Sequence, residues 1–339
     1  MEKVLLLIHT DNEGNLHKSM LETLTASIEA AGRLGDASLV AGVIGAGAET
    51  ASGQLGGAGI KKVYTVSGDE FSVSRYSSDS AAVEAICRAA EADIVMAAGS
   101  SRLNRVLSGV AFRLDGRVDT HVTGFGDGEG LTVNRWFYRQ RIIASVKRTE
   151  RPWFISIDPG SFEPWSGSGE AVETCEVEVS LPDVPAVEVV GEKTPTSGEQ
   201  TIKPDAEILL VAGAGWTKIQ RDGALHAGEA EELIRDFLGK AQASLGGSKS
   251  MVDQASEGEA VISFMTHLNQ IGQTGSTPRH RKGLATCCHG EEPHAVGWRF
   301  INERRAINLD PNCGWAQGKA DVLYISDSFK VLKKVNELL

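Results

Sequence analysis

Cysteine is sparse in this chain: Cys87, Cys175, Cys287, Cys288 and Cys313 are the only five in 339 residues, and no two stand in C-x-x-C spacing. An odd, scattered set supplies neither a disulfide framework nor a zinc framework, and it fits a reducing, cytoplasmic setting. Long apolar runs are also missing. None approaches the roughly 20 residues a bilayer demands, so direct membrane insertion is not expected. The opening stretch Val4–Ile8 holds only five apolar residues and lacks a small-residue cleavage site, so it reads as a first buried strand rather than a secretion signal. Positive charge is in deficit as well: 34 Lys and Arg face 45 Asp and Glu, for a net charge of −11. A general nucleic-acid binder needs the opposite balance. No Ser-His-Asp or Cys-His order stands out, and no Walker-type lysine loop.

What is present is ordinary globular composition, with 41% apolar and 23% charged residues. The length argues for two domains rather than one core. Over the first 125 residues apolar runs alternate with helical spacing: Lys3–His9, Ser38–Ile44, Lys62–Val66 and Asp93–Ala98 read as strands, Ser19–Leu34 and Ser80–Ala92 as helices. Strands and helices in that order give a parallel sheet covered on both faces. From Val118 to Ile157 the helices stop, and Leu131–Trp136, Arg141–Val146 and Trp153–Ile157 suggest an antiparallel edge or extension. Six of the ten prolines then fall between Pro159 and Pro204, with many Gly and Ser, although Thr174–Leu181 still suits an edge strand. A second alternation follows, with strands Ile208–Ala212, Gly283–Cys288, Ala306–Leu309 and Asp321–Ile325, a helix over Ala224–Ala243 and a closing helix Ser326–Leu338 capped by Ser326 or Asp327. The expected architecture is α/β with two doubly wound domains. Residues 1–190 form an N-terminal parallel sheet with an antiparallel extension, 191–204 a linker, and 205–339 a C-terminal parallel sheet.

Several short clusters sit at strand ends, where open parallel sheets bind ligands. Gly45-Ala46-Gly47 lacks the third glycine and the acidic partner of a dinucleotide fingerprint and reads as a tight turn. Gly213-Ala214-Gly215 is the better place for a backbone to approach a ligand. His289, Glu291 and His294 invite a metal reading, but the P-C-x-x-C that a zinc deaminase requires is absent. Two readings remain there: solvated loop residues, or a strand that delivers His289-Gly290 to a helix N-terminus facing phosphate. Cys287-Cys288 reads as a pair of small core residues, since neighbours in a strand point to opposite faces. The cluster Arg279-His280-Arg281-Lys282 suits a solvated loop or a contact to phosphates or a partner. Arg135, Arg139, Arg141, Lys147, Arg148 and Arg151 alternate with apolar residues as the exposed face of strands.

Taken in order, Gln270-Ile271-Gly272-Gln273-Thr274-Gly275 resembles the Q-V-G-Q-T-G of the alpha subunit of electron-transfer flavoproteins. Ser248-Lys249 with Val252-Asp253 resembles that family's S/T-R-x-x-V-D, and His289-Gly290 with His294 stands where it has S-G-A-I-Q-H. Ile307-Asn308-Leu309-Asp310-Pro311 resembles I-N-K-D-P, and Asp327-Ser328-Phe329 resembles D-L-F. The resemblance covers about 205 to the end and extends more loosely to the first half. It implies an adenine-nucleotide-hydrolase-like N-terminal sheet that contacts a beta subunit, and a C-terminal domain that holds one FAD. Such a chain is an electron carrier without substrate chemistry of its own. It takes electrons from a flavoprotein dehydrogenase and passes them to the membrane-bound electron-transfer flavoprotein–quinone oxidoreductase.

Position by position, the resemblance places the Thr274 hydroxyl at flavin N5, Ile271, Gly272 and Gln273 along the ring edge, and His294 at O2. Ser248 and the His289-Gly290 turn would meet the pyrophosphate, and Asn308, Asp327 and Ser328 the adenosine half. A single-electron carrier gains from a hydrogen-bond donor at N5 and positive charge near O2, which His294 and Lys249 would supply. The family's G-G-R-G is here Ala212-Gly213-Ala214-Gly215, so an arginine is lost, and Lys249 replaces a planar guanidinium with a point charge. Glu291 and Glu292 add negative charge near the expected phosphates. A free-standing flavin- or nucleotide-dependent oxidoreductase is the alternative, but no acid–base residue stands out for it.

Overall fold

The apolar opening of the chain becomes the middle of a sheet. The computed structural model describes residues 1–11, 13–137, 142–167, 171–181, 187–191, 202–203, 206–254, 261–271, 280–286, 301–312, 317 and 320–339. In it β1 (Glu2–His9) buries Val4 to Ile8 completely. A strand buried on both faces needs neighbours on both edges, and β1 pairs in parallel with β2 (Ala37–Ile44) and β4 (Ile94–Ala98). The close packing shows at Gly42 of β2, where an added Cβ would lie 2.6 Å from the Ile86 side chain.

The chain divides into two compact units, Met1–Glu192 and Lys193–Leu339. In the first, β3 (Val63–Val66), β5 (Arg117–Phe125), β6 (Val133–Phe137), β7 (Ile142–Val146), β8 (Trp153–Ile157) and β9 (Thr174–Glu176) complete a nine-stranded sheet. Its order is β7-β6-β5-β8-β4-β1-β2-β3-β9, and only the β5–β6 and β6–β7 pairs are antiparallel. Helices α1 (Lys18–Leu34), α2 (Ala48–Ser52), α3 (Asp69–Ser72), α4 (Tyr76–Ala90) and α5 (Ser101–Arg113) fill the crossovers. The strand order reverses between β1 and β4.

Three expectations need correction here. Helix α5 was not foreseen: Arg102, Asn104, Arg105 and Gly109 dilute its apolar stripe, yet Leu103, Val106, Leu107 and Val110 bury one face and the Ser100 hydroxyl accepts from Leu103 N. Strand β8 is not part of an antiparallel edge. It lies between β4 and β5, parallel to both, because all five of its residues are buried. The arginines of the extension are not simply a solvated face. Arg135 Nη1 lies 2.9 Å from Asp119 Oδ1, Arg148 grips both oxygens of that carboxylate, and Arg151 pairs with Glu2. Arg139 and Arg141 lie outside the described residues.

Asp119 on β5 is fully buried and also accepts from Trp153 Nε1 at 2.9 Å. It ties β8, β6 and the segment after β7 to one carboxylate. Burial pushes this carboxyl up, but Arg148, Trp153 and Arg135 together outweigh it and hold the group below the ordinary aspartate value of 3.8.

The second unit has a five-stranded, wholly parallel sheet of β10 (Ile208–Ala212), β11 (Ser244–Gly247), β12 (Lys282–Thr286), β13 (Glu303–Asn308) and β14 (Val322–Ile325), in the order β11-β10-β12-β13-β14. Helices α6 (Ala227–Lys240) and α8 (Ser328–Leu338) share one face, where Ile234, Phe237 and Leu332 pack on Leu210, while the five-residue α7 (Lys249–Asp253) follows β11. Helix α6 begins at Ala227 rather than Ala224 because Ile219 bridges Leu225 in a small antiparallel hairpin ahead of it. In the basic cluster His280 is buried, with its Nε2 2.8 Å from Lys203 O, while Arg281 pairs with Glu303 and Lys282 with Glu207. Those three side chains therefore serve the unit's own packing rather than a solvated loop. No helix among the described residues is long and apolar enough to cross a membrane.

Removing one partner of a buried ion cluster strands the remaining charges. Asp119→Ala is expected to destabilise the first unit by about 3–5 kcal/mol, read as a lower urea midpoint. Because the folded pKa lies below the unfolded one, this contribution is complete above the unfolded value and fades as pH falls through the folded one. Wild type should therefore lose stability in acid more steeply than the variant. Parallel acid profiles would remove Asp119 from this role.

Candidate functional site

Each sheet has a place next to its first strand where strand order reverses, and there the loops leaving the carboxyl ends diverge to leave a crevice. In the first sheet the chain's own side chains occupy that place. His9 at the end of β1 reaches across, with Nε2 3.0 Å from Ser100 Oγ at the end of β4 and Nδ1 3.0 Å from Thr10 O. Burial pushes the His9 pKa down to about 4, so the ring is neutral at neutral pH. Thr10 Oγ1 donates to Ala46 O at 2.8 Å, and Gly45 (φ +128°) lies so close that a Cβ on it would strike that hydroxyl at 2.3 Å. Gly45-Ala46-Gly47 is thus a tight turn packed on the β1–α1 loop.

The second sheet differs at the equivalent position. Its strand order runs 2-1-3-4-5, which places the switch between β10 and β12. The residue after β10 is Gly213, with no side chain to span the gap, and its N–H donates to Thr286 O at 2.9 Å. Trp216, in the short turn after it, is fully buried and donates from Nε1 to Thr286 Oγ1 at 2.8 Å, and that hydroxyl donates on to Val211 O at 3.2 Å. The indole also packs on Phe329 of α8, with ring centroids 4.5 Å apart. The turn, the end of β12 and the start of α8 are thereby fixed to one another.

The sequence-selected residues fall around this frame. Ser248 follows β11, is fully buried, donates its N–H to Ala212 O at 3.2 Å and caps α7 by accepting from Met251 N at 3.1 Å. Lys249 is ion-paired with Asp253, which also lies 2.9 Å from His267 Nε2. Lys249 and then His267 hold the Asp253 carboxyl below its ordinary value. Gln270 bridges Gly247 in parallel and Ile271 N donates to Gly247 O at 3.0 Å, so the start of the Gln270–Gly275 cluster runs beside β11. Ile271 is buried in the core.

Asn308 ends β13, and its Oδ1 accepts from Asp310 N at 3.0 Å. Asp327 caps α8 by accepting from Phe329 N at 2.8 Å and Lys330 N at 3.2 Å, both through Oδ1. Ser328, the first residue of α8, is buried. Asn308, Asp327 and Ser328 line a single cavity of about 420 Å³, together with Gly215, Asp310 and Phe329. Gly272, Gln273, Thr274, His289, Gly290 and His294 lie outside the described residues, as do Cys287, Cys288, Glu291 and Glu292.

The same cavity is lined by Ile219, Gln220 and Arg221, which sequence reasoning passed over. Asp222-Gly223 between Ile219 and Leu225 was the available signal, since that dipeptide marks tight hairpins. The signal for Trp216 was weaker: a lone indole after a glycine-rich strand end. Chemically, carboxylate and amide acceptors here suit hydroxyl donors such as those of a ribose. The apolar walls suit a flat ring, and the volume suits a nucleoside-sized portion of a larger ligand. These residues therefore fit a dinucleotide bound at the carboxyl edge. No group of three or more His, Cys, Asp or Glu arranged for a metal ion occurs among the described residues.

Compared with known families, residues 4–185, more than half of the chain, match the one described as electron transfer flavoprotein domain. The match falls within the first unit and does not reach the cavity.

Trp216→Ala is expected to cost the second unit about 3–5 kcal/mol, the usual loss for a large buried aromatic. Trp216→Phe should cost less, about 1–2 kcal/mol for the bond to Thr286. Chemical denaturation checks both, and midpoints unmoved in either variant would show that the turn is held by other contacts.

Proposed function

The chain belongs to the electron transfer flavoprotein family, and from that premise we propose that it is the alpha subunit of a heterodimeric carrier whose second unit holds FAD. The family's role is electron transport rather than classical enzyme catalysis. In our reading the chain pairs with a beta subunit, receives electrons from a flavoprotein dehydrogenase and delivers them to the electron-transfer flavoprotein–quinone oxidoreductase, in the cytoplasm. One observation carries the proposal: Asn308, Asp327 and Ser328, distant from one another in sequence, line one nucleoside-sized cavity at the carboxyl edge of a 2-1-3-4-5 sheet.

FAD would supply redox chemistry in one- or two-electron steps. The chain's part is to bind and orient it. Asp327 uses Oδ1 for the helix cap, and no described residue engages Oδ2, which leaves an acceptor for a ribose hydroxyl. Ser248 accepts from Met251 N, so its O–H can still donate to phosphate. Lys249 stands next to Ser248 as a cation whose field Asp253 partly cancels. The Lys249 charge therefore acts on a bound flavin more weakly than an unpaired one would. Thr274, His289, Gly290 and His294 keep the roles that the resemblance gives them, as do Gly272 and Gln273.

Co-expression of the full chain with a beta-type subunit, followed by an absorption spectrum over roughly 350–500 nm, tests the proposal. Flavin bands at one FAD per heterodimer are expected, and a colourless complex that cannot be reconstituted with FAD would overturn it. In the loaded complex, Lys249→Ala should lower the flavin midpoint potential by an amount on the order of tens of millivolts, since a nearby positive charge favours the reduced state. A potential unchanged by that substitution would remove Lys249 from the flavin's surroundings.

A further inference from the structure

The loop between β10 and α6 is longer than a crossover needs and is folded into a specific shape. Ile219 and Leu225 bridge antiparallel, Gln220 N donates to Ala224 O at 2.8 Å, and Gly223 N donates to Gln220 O at 3.0 Å. Gly223 takes φ +81°, which the turn requires and which a side chain would strain. The hairpin is anchored at its base. Gln220 Nε2 donates to Gly215 O at 2.9 Å and to Lys218 O at 2.7 Å. Asp222 accepts from Ala224 N at 3.0 Å and holds His226 Nε2 at 2.7 Å, and the His226 ring in turn faces Phe329.

The hairpin is held firmly yet leaves its apolar side chains unpacked: Ile219 is 71% exposed and Leu225 50%. Arg221 at its tip lines the cavity of Asn308, Asp310 and Asp327, yet has no ion-pair or hydrogen-bond partner among the described residues. The cavity thus pairs two kinds of chemistry. Carboxylates and an amide on the β13 and α8 side accept hydrogen bonds from hydroxyl groups. The same lining includes the Arg221 guanidinium, whose planar fork of donors matches phosphate oxygens. Those carboxylates alone would repel a phosphate; a cation in the same lining offsets that repulsion. Ile219 supplies the apolar surface a base would cover.

Resting on the FAD reading above, we propose that the 219–225 hairpin clamps the adenosine end of the dinucleotide, with Arg221 taking the phosphate next to the adenosine ribose. Arg221 is then a binding residue for the phosphate, and the hairpin, by position, selects nucleotides over nucleosides. It does for this chain what no side chain at Ala214 can.

Isothermal titration of the full chain with adenosine monophosphate, with adenosine and with FAD tests this. The variants are Arg221→Ala and Arg221→Lys; at an exposed hairpin tip neither should disturb the fold, as circular dichroism would check. Wild type should bind the monophosphate at least about tenfold more tightly than adenosine, the effect of one charge-assisted contact. Arg221→Ala should erase that gap while leaving adenosine binding unchanged, and Arg221→Lys should restore part of it. A gap that survives in Arg221→Ala, or wild type that treats the two ligands alike, would overturn the clamp. Wild type that takes FAD but responds to neither small ligand also overturns it and leaves the flavin reading standing. Wild type that takes none of the three removes both.

Discussion

The position of Trp216 fixes the geometry on which the candidate site depends. Its indole is fully enclosed, its one polar atom is satisfied by Thr286, and Thr286 is satisfied in turn by Val211. A buried N–H without that acceptor would be costly, so ring and strand end hold each other in one arrangement. Phe329 lies against the same ring, and its backbone N–H is held by Asp327. A continuous run of contacts therefore links the turn after β10, the end of β12 and the cap of α8. The turn and the cap contribute Gly215, Asp327, Ser328 and Phe329 to the cavity lining, so a displaced indole would loosen these together.

The two units illustrate how similar sheets acquire different capacities. Both reverse strand order beside their first strand, and both have a crevice there by topology. In the first, His9 and Thr10 at the end of β1 fill the space with neutral, mutually bonded groups. In the second, Ala212-Gly213 leaves no side chain to do so, and the surrounding loops supply hydrogen-bonding groups instead. The first unit devotes a buried polar cluster, Asp119 with Arg135, Arg148 and Trp153, to holding its antiparallel extension in place. The family match and the cavity accordingly lie in different parts of the chain.

Much of this organisation was legible from local pattern. Strand Ile208–Ala212 and the apolar β1 were readable because burial on both faces writes a continuous apolar run. The start of α8 was readable to within two residues from Ser326-Asp327, either of which suits a cap, and it is Asp327 that makes it. Strand β8 was misplaced because pairing partners are non-local: nothing in Trp153–Ile157 announces that β4 and β5 flank it. Asp119 was invisible for the same reason, since its three partners lie 16, 29 and 34 residues away. At the cavity, Asn308, Asp327 and Ser328 were marked by the family resemblance. Arg221 could not be, because a charged residue in a polar turn looks like any solvated loop until the fold brings it into one cavity with Asn308 and Asp310.

The central claim is that a dinucleotide binds along the carboxyl edge of the second sheet. Hydrogen–deuterium exchange of the full chain with and without FAD tests it most directly, because backbone protection reports where ligand contact suppresses local opening. The account predicts protection concentrated in the loops that leave β10, β11 and β13 and in the first turn of α8, with the β1–β4 crevice unchanged. Protection centred on His9 and Ser100, or none in the second unit, would contradict it.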